Sequence, residues 1–288
     1  MNKSAHFVHV NGKIVHENDA MIPPFHSGLF YGAGCFETFR TDRGAFFRFD
    51  DHINRLKRGL AYLGVPQGMM PNDSQIRTDV ELLLQRNSLE KNSARVRIQF
   101  SLLEKQGYGF DGQISLIKLI QCSKLLEQGE AVRLKTSAVR VVPHECKPSD
   151  LKLSNMLHYR DAFREAQKSG FDDALMLNCK DFIAETSIAN IFWKTGNTVF
   201  MPSIKTDILP GITRSVLADI IKTLDGYSLV EGEYQIEQIK EADCVWITNS
   251  VQGIRTVSSI DEKEIRTDQE FIERLKRKFE QLRSDQSS

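Results

Sequence analysis

The chain has 288 residues, of which 41% are hydrophobic and 26% charged, and 38 Lys and Arg balance 38 Asp and Glu. This length suits about two domains of roughly 100–200 residues each. The zero net charge argues against a general binder of nucleic acids, which would carry a basic surplus. No apolar run approaches the roughly 20 residues that a membrane-spanning helix needs. The composition therefore predicts a cytoplasmic protein without a nucleic-acid or membrane partner.

The first 121 residues alternate predicted strands with predicted helices. Asn11-Gly12 favours a tight hairpin turn, because both residues tolerate the positive φ angles of such a turn. Apolar residues at helical spacing from Ile53 onward predict a helix that Asp50 or Asp51 caps. Another helix is predicted around 76–84, and strands at 7–10, 13–15, 35–40, 45–49, 95–102 and 114–121. These elements predict an α/β N-terminal domain over residues 1–121.

The segment 122–131 is largely polar and lacks strong periodicity, so we predict an interdomain linker there. Residues 132–288 then form a C-terminal domain. Its predicted strands are 132–142, 173–177, 182–185, 190–194, 198–201 and 244–248. Its predicted helices are 157–169, one that follows Pro210-Gly211, and an amphipathic one over 271–282.

Cysteine and histidine spacing gives no sign of a metal centre. The cysteines are widely separated, and no pair has the short spacing of a zinc knuckle or a redox motif. The histidines show no paired ligand spacing either. We therefore expect reduced thiols and no metal site. The five cysteines are Cys35, Cys122, Cys146, Cys179 and Cys244.

Several local features are ambiguous when each is taken alone. The glycines of segment 28–34 lack the Lys-Ser/Thr of a Walker loop and the third glycine of a dinucleotide fingerprint, which indicates a flexible turn. Lys152 lies between two leucines and by itself indicates a surface lysine more than a catalytic amine. Glu185, at the end of a predicted strand, by itself indicates a solvated charge.

The hexapeptide 209–214 (LPGITR) predicts the N-terminus of a helix. Unpaired backbone N–H groups at 211–213 and the Thr213 hydroxyl would point at whatever binds there, which is the physical basis of a phosphate cradle. The alternative interpretation is that Thr213 is only the N-cap after a Pro-Gly turn.

A series of short motifs follows one another along nearly the whole chain. They are 30–38 (FYGAGCFET), His52-x-x-Arg55-Leu56, Lys152-x-x-Asn155-x-Leu157, Asp173-Ala174-Leu175-x-Leu177, Glu185-x-x-x-x-Asn190-Ile191-Phe192, 209–214 and Thr248-Asn249-Ser250. In this order they resemble the class IV, fold-type IV pyridoxal 5′-phosphate (PLP) enzymes, which include branched-chain aminotransferases, D-amino-acid aminotransferases and 4-amino-4-deoxychorismate lyases. The resemblance implies a two-domain α+β and α/β fold, with a small N-terminal α/β domain and a larger C-terminal domain that contains a pseudo-barrel.

The resemblance also implies PLP as the cofactor and assigns residues to it. Lys152 matches the Schiff-base lysine, and Glu185 matches the carboxylate that faces the pyridine nitrogen. Arg55 matches the phosphate-binding arginine, whose planar fork suits phosphate geometry. In the branched-chain enzymes a tyrosine follows the asparagine that matches Asn155, whereas this chain has Met156. The other implied cofactor-site residues are Asn190, Gly211, Ile212, Thr213 and Ser250.

The resemblance places five residues in the substrate pocket: Tyr31, Phe36, Thr38, Arg40 and Arg97. The side chains of Arg95 and Arg97 alternate with Val96 and so share one face of a predicted strand. Two cations on one face suit an anionic substrate, and two solvated edge residues are the alternative. We favour a functional role for Arg97, and the role of Arg95 stays open.

Two reactions of a small amino substrate fit the resemblance. The run 248–257 resembles that of the lyases, which expel pyruvate from 4-amino-4-deoxychorismate and leave 4-aminobenzoate for folate synthesis. The hexapeptide 209–214 and Glu37 are equally typical of the D- or branched-chain amino-acid aminotransferases, which pass the amine to a 2-oxo acid. We favour the lyase. A non-catalytic binding module with this fold is the third hypothesis, against which the presence of Lys152 and Glu185 argues.

The resemblance implies a homodimer whose active site is completed by the N-terminal loop of the other subunit. Segment 30–34 would cross to the partner. Phe25, Leu29, Phe30 and Tyr31 make this part of the chain apolar and aromatic, which suits an interface core.

Overall fold

The computed structural model describes residues 6–103, 114–125, 129 and 131–285. The described chain divides into two compact units. The first contains the described residues up to 125 together with Leu151–Asn155, and the second contains those between 129 and 150 together with Met156–Asp285. No helix in these ranges is long and apolar enough to cross a membrane.

The first unit is built on one antiparallel sheet. Its strands are β1 (Phe7–Val10), β2 (Lys13–His16), β3 (Gly34–Asp42), β4 (Ala45–Phe46), β5 (Ser93–Leu102) and β6 (Leu116–Lys124). Their order across the sheet is β2-β1-β6-β5-β3-β4. The helices are α1 (Ser27–Phe30), α2 (Phe49–Tyr62) and α3 (Asp73–Arg86), with short 3-10 helices at Glu17–Asp19 and Gln67–Met69.

The core of the first unit lies between this sheet and its longer helices. Strand β5 alternates buried and half-buried side chains, because only one face of the sheet packs against the core. The buried core residues include Phe39 and Ile98 from the sheet, Ile53 from α2 and Leu83 from α3. The two helices present these residues at helical spacing, as the apolar pattern predicts.

The second unit is built on a larger, mixed sheet. Its strands are β7 (Ala131–Thr136), β8 (Asp173–Leu177), β9 (Ile183–Thr186), β10 (Asn190–Thr195), β11 (Thr198–Pro202), β12 (Ser228–Gly232), β13 (Cys244–Asn249), β14 (Gly253–Ile260) and β15 (Lys263–Glu264). Their order is β12-β11-β10-β13-β14-β7-β8-β9, and β15 pairs with β14. The helices are α4 (Leu157–Lys168), α5 (Ile212–Lys222), α6 (Ile236–Lys240) and α7 (Gln269–Asp285), with a 3-10 helix at Ile204–Thr206.

This sheet curls into a half-barrel. Strand β9, at one end of the strand order, also contacts β10 and β11, which lie towards the other end. The interior is filled by apolar side chains such as Leu175, Trp193 and Ile247. All five residues of β8 are buried, because both faces of this strand are covered.

Some predicted element ends are wrong. Helix α2 begins directly after Arg48, whose φ is 54°, so Asp50 and Asp51 lie in its first turn instead of capping it. Their charges still favour the helix N-terminus. The strand predicted at 132–142 ends at Thr136, where the Asp261 side chain accepts hydrogen bonds from the Thr136 backbone N–H and hydroxyl at 2.8 Å each.

Other elements were not predicted at all. They are α1, α6, β12, β14 and β15. Strand β6 also continues into the predicted linker segment 122–131, because its pairing with β5 extends as far as Lys124 opposite Ala94. The segment Leu151–Asn155 belongs to the first unit, although it falls within the range 132–288 predicted for the C-terminal domain.

We predict that Gly59→Ala destabilises the protein by about 1–3 kcal/mol. An added Cβ at this buried position of α2 would lie 2.9 Å from the Cβ of Cys35 on β3. Alanine favours a helix interior over glycine by about 1 kcal/mol, so the clash must exceed that gain. Urea unfolding measures the loss. Gly68→Ala, whose Cβ would meet nothing within 4 Å, is the control. Equal stability of the two variants would contradict the close packing of α2 on β3.

Candidate active site

The residues predicted for the site are divided between the two units. The first unit holds Tyr31, Phe36, Thr38, Arg40, Arg55, Arg97 and Lys152. The second unit holds Glu185, Asn190, Gly211, Ile212, Thr213 and Ser250. Within each unit the fold brings together side chains that are far apart in sequence.

Lys152 is held against the start of β3 by backbone hydrogen bonds. The Phe36 N–H donates to the Lys152 carbonyl at 2.9 Å, and the Ser154 N–H donates to the Gly34 carbonyl at 2.8 Å. Cys35 and Leu153 form an isolated antiparallel bridge between these contacts. The backbone of Lys152 is therefore positioned by a strand more than a hundred residues earlier, which no local pattern around Lys152 indicates.

The Phe36 ring contacts two cations. Lys152 Nζ lies 4.9 Å and Arg97 Cζ 3.7 Å from the ring centroid, both within cation–π range. Arg97 Nη2 donates to Gln99 Oε1 at 2.9 Å, and Gln99 Nε2 donates to Ser154 Oγ at 2.5 Å. The Gln99 amide therefore links Arg97 to the segment that carries Lys152. Neither Gln99 nor Ser154 was predicted from the sequence as a residue of the site.

Three arginines share one face of the first sheet. Arg97 lies opposite Thr38, and Arg95 lies opposite Arg40, in the register of β3 and β5. Arg40 is paired with Asp42 at 2.6 Å. Within the described ranges, no carboxylate forms an ion pair with Arg95 or Arg97. Burial and the charge of Arg95 lower the pKa of Arg97 to about 10, so Arg97 stays charged at pH 7 with no carboxylate partner among the described residues.

The opposite face of β3 presents a carboxylate to α2. Glu37 is fully buried and accepts hydrogen bonds from Arg55 Nε at 2.6 Å, Arg55 Nη2 at 2.9 Å and His52 Nδ1 at 2.7 Å. Burial raises the pKa of Glu37, but Arg55 and His52 together lower it to about 2. The predicted phosphate ligand Arg55 is thus oriented by an ion pair that sequence reasoning missed. The available signal was a charged residue among the core-facing residues of β3, such as Cys35 and Phe39.

The loop that contains Tyr31 approaches the Lys152 segment through a glycine. Gly32 has a φ of 66°, a conformation that favours glycine. A Cβ on Gly32 would lie 3.2 Å from the Cβ of Asn155. Tyr31 itself follows α1 and is 43% exposed. The structure thus brings Asn155 to the N-terminal loop.

Glu185 is a buried carboxylate of the second unit, and the expectation of a solvated charge at this position is wrong. Its side chain is only 4% exposed. Oε1 accepts hydrogen bonds from the Tyr159 hydroxyl at 2.5 Å and the Leu209 N–H at 3.1 Å. Oε2 accepts from Asn190 Nδ2 at 3.0 Å. Donors of this kind stabilise the ionised form, which is the form that can pair with a cationic ring nitrogen.

Tyr159 and two neighbours near Glu185 were not identified from the sequence. Tyr159 lies in the first turn of α4, one turn after its N-cap Met156. Lys147 Nζ lies 5.9 Å from the centroid of the Tyr159 ring. Burial and the charge of Lys147 lower the pKa of His158 to about 4, so His158 is neutral at pH 7. The charge of Glu185 raises the pKa of Lys147, so Lys147 is a cation that interacts with Glu185, whereas neutral His158 adds no charge.

The N-terminus of α5 has the donors of a phosphate site. Gly211 is the N-cap and Ile212 the first helical residue, so the alternative that Thr213 is the cap is wrong. The first N–H groups of a helix lack partners within it and favour an anion. Thr213 Oγ1 lies 3.2 Å from Ser250 Oγ, so two hydroxyl groups lie together at this end of the helix. A Cβ on Gly211 would lie 2.0 Å from Asn190 Oδ1, so the approach to Asn190 requires glycine.

Comparison with known proteins identifies this arrangement. Residues 34–260 match the family described as amino-transferase class IV. The chain belongs to this family. It is 31% identical to the aminodeoxychorismate lyase of Bacillus subtilis (strain 168) over 88% of this chain and 87% of that protein. The fold matches that of a branched-chain aminotransferase from Thermoproteus uzoniensis with norvaline, with a TM-score of 0.85, 25% identity and coverage of 95% and 94%.

A third similar protein has the same fold. The branched-chain amino acid aminotransferase from Thermobaculum terrenum, solved in its PLP form, matches with a TM-score of 0.80, 19% identity and coverage of 91% of this chain and 88% of that one. This class IV chain is a PLP-dependent enzyme of the lyase or transaminase type, as its family and its lyase relative show. Family membership confirms the predicted fold type and the predicted PLP dependence. The chemical groups of each unit fit that cofactor: an amine in the first, and in the second a buried carboxylate and a helix N-terminus with two hydroxyls.

We predict that Glu37→Gln lowers the free energy of unfolding at pH 7 by about 3–5 kcal/mol, because it removes the anion that the buried Arg55 faces. The folded-state pKa of about 2 lies below the ordinary value of 4.5. The contribution of Glu37 is therefore complete above about pH 4.5 and is lost as the pH falls towards 2. The free energy of unfolding of Glu37→Gln should therefore fall less between pH 4.5 and pH 2 than that of the unmodified enzyme.

Urea unfolding between pH 7 and pH 3 measures both effects. Glu81→Gln, at an exposed position of α3, is the matched control and should unfold like the unmodified enzyme. Parallel pH curves for Glu37→Gln and the unmodified enzyme would show that Glu37 does not remain ionised in the folded protein.

Proposed function

We propose that this class IV enzyme is a 4-amino-4-deoxychorismate lyase, which releases pyruvate and leaves 4-aminobenzoate. The observation that carries the proposal is the pair Arg95 and Arg97 on one sheet face, for which the described ranges contain no carboxylate partner. The substrate has two carboxylates, and guanidinium groups bind carboxylates with strong, bidentate hydrogen bonds. The similarity to the Bacillus subtilis lyase supports the same conclusion.

We assign cofactor roles to residues of each unit on chemical grounds, one unit at a time. Lys152 provides the amine for covalent attachment, and Glu185 provides the carboxylate for the ring nitrogen. Arg55 is assigned to the phosphate by its guanidinium group, which Glu37 holds in one orientation through Nε and Nη2. In the second unit, the N–H groups of Gly211 and Ile212 and the hydroxyls of Thr213 and Ser250 suit a phosphate. Asn190 supports this set through its bonds to Glu185 and to the Leu209 carbonyl.

The residues of this chain then perform proton transfer and positioning. When bound, PLP supplies a ring that accepts the electron pair left on a deprotonated substrate carbon. Lys152 Nζ removes the proton from the carbon that bears the amino group. The neighbouring carbon–oxygen bond of the substrate then breaks, pyruvate leaves as its enol, and the six-membered ring of the substrate becomes aromatic. Phe36, beside both Lys152 and Arg97, positions the substrate between the base and the carboxylate-binding group.

An aminotransferase acting on branched-chain or D-amino acids is the second candidate. The match to the Thermoproteus uzoniensis enzyme, which is described as a branched-chain aminotransferase, favours it. An apolar substrate side chain beside Arg95 and Arg97 would desolvate their charges without pairing them. For this reason the lyase is the better proposal.

We predict that the enzyme converts 4-amino-4-deoxychorismate to 4-aminobenzoate and pyruvate when no 2-oxo acid is present. Both products are measured in the same reaction by chromatography. Lys152→Ala should lose this activity and also the absorbance near the visible edge that requires the cofactor to be bound to Lys152. Amino transfer from L-leucine or D-alanine to a 2-oxo acid, without release of 4-aminobenzoate, would support the aminotransferase instead.

The same assay tests the role of the arginine pair. Arg97→Gln should raise KM for 4-amino-4-deoxychorismate by about 10-fold or more, the size of one lost hydrogen bond to a charged group. Cofactor affinity should not change, because Arg97 is assigned to the substrate. Arg58→Gln, an exposed arginine of α2, is the control. An unchanged KM in Arg97→Gln would remove the main support for the lyase.

We further propose that a second copy of this chain covers an apolar surface of the first unit. Six residues there have exposed fractions of 43–88%: Met21, Ile22, Phe25, Leu29, Phe30 and Tyr31. A cluster of exposed apolar residues of this kind is typical of an interface. Because Tyr31 belongs to this surface and is a proposed substrate residue, the interface would lie close to the substrate pocket.

The native mass in solution tests this dimer. We expect about twice the 32.8 kDa of one chain by sedimentation. The double variant Phe25→Asp, Leu29→Asp should be monomeric, because it buries charge in the interface. Leu82→Asp, at a 49% exposed position of α3, is the control and should remain dimeric. A monomeric unmodified enzyme at micromolar concentration would disprove the proposed partner.

A further inference from the structure

The phenol of Tyr159 directs its hydrogen bond at a carboxylate that is almost completely removed from solvent. Its hydroxyl oxygen lies 2.5 Å from Glu185 Oε1, and Glu185 is 4% exposed. The two residues come from different elements, α4 and β9, and are 26 positions apart. A short contact between a phenol and a buried carboxylate requires that one of them hold the proton.

The electrostatic surroundings decide which group holds that proton. Burial, the charge of Glu185 and the hydrogen bond to it raise the pKa of Tyr159 well above its usual value, and Asp207 raises it further. The phenol therefore stays protonated at neutral pH and can only donate to Glu185. Asn190 and the Leu209 N–H donate to the same carboxylate, so the donors around Glu185 stabilise its negative charge.

Two further ionisable groups face this pair. Lys147 approaches from the loop before α4, with Nζ 5.9 Å from the Tyr159 ring centroid. Burial lowers the pKa of Lys147, whereas the charge of Glu185 raises it. The His158 ring contacts the Tyr159 ring, and the two ring centroids are 4.2 Å apart. Tyr159, Lys147, His158 and, through Tyr159, Asp207 are therefore among the titratable groups that the described part of the second unit places around Glu185.

We propose that Tyr159 is a positioning residue of the cofactor site, which holds Glu185 ionised and in one orientation towards the ring nitrogen of PLP. The phenol donates to Oε1 together with the Leu209 N–H, while Asn190 donates to Oε2. Each oxygen therefore has a fixed donor, and the carboxylate plane cannot rotate without breaking one of them. This inference rests on the proposed role of Glu185 and deepens it.

Binding of pyridoxamine 5′-phosphate tests the proposal without any measurement of activity. This probe carries the same ring and phosphate but forms no bond to Lys152, so its dissociation constant reports the non-covalent contacts. Tyr159→Phe should raise the dissociation constant about tenfold, the value of one hydrogen bond to a charged group. Tyr227→Phe removes a phenol that packs on Phe271 in the same unit and should bind like the unmodified enzyme.

A double-mutant cycle separates this proposal from the role of Glu185 itself. Glu185→Gln should weaken binding of the probe at least as much as Tyr159→Phe. In the Glu185→Gln background, Tyr159→Phe should add less than a twofold change, because the charge that the phenol stabilises is gone. Additive effects would overturn the proposal. An unchanged constant in Glu185→Gln would overturn the assignment of Glu185, on which the proposal depends.

The pH dependence of binding gives a signature that a merely structural role would not produce. A carboxylate that loses a donor is protonated more readily, so Tyr159→Phe should lose affinity at a higher pH than the unmodified enzyme as the pH falls. Thermal unfolding shows whether the variant is folded. If it is not, 3-fluorotyrosine at position 159 keeps the hydroxyl as a stronger donor and should shift the loss to lower pH. A profile identical to that of the unmodified enzyme in either protein would overturn the proposal.

Discussion

A buried carboxylate stays ionised only where donors and cations surround it, and each unit contains one candidate-site carboxylate that meets this constraint. In the first unit, Glu37 is surrounded by Arg55 and His52, which hold its pKa at about 2. In the second unit, Glu185 is surrounded by Tyr159 and Asn190 together with a backbone N–H group. The first carboxylate orients a proposed phosphate ligand, and the second is the proposed partner of the cofactor ring.

The arginines on one face of the first sheet are only partly neutralised by carboxylates. Arg40 is neutralised by Asp42, whereas Arg95 and Arg97 have no carboxylate partner within the described ranges. Partly buried guanidinium groups that repel each other cost stability unless a ligand compensates them. The repulsion between these arginines destabilises the free protein, and an anionic substrate that binds on this face would relieve it. This difference is the physical basis for preferring the lyase over an aminotransferase of apolar amino acids.

Much of the fold could be predicted from the sequence, because apolar periodicity and turn residues act locally. Helices α2 and α3 and strands β5 and β8 follow from such patterns. Strand β14 was missed, because its residues were interpreted only as a motif, and the exposed edge strand β12 has a weak pattern. The cap of α2 was assigned to Asp50 or Asp51, whereas the chain enters this helix through the left-handed backbone of Arg48. The backbone conformation with which a chain enters a helix depends on the elements that pack against it.

The sequence by itself determined the family, the cofactor and the identity of the candidate residues, because motif order and residue chemistry are properties of the chain alone. Only the tertiary structure decided which side chains meet. It joined Lys152 to β3, linked Arg97 to Ser154 through Gln99, and brought the phenol of Tyr159 to Glu185. None of these contacts has a local signal, because each joins elements that are distant in sequence and become neighbours only when the sheets form and their cores exclude water.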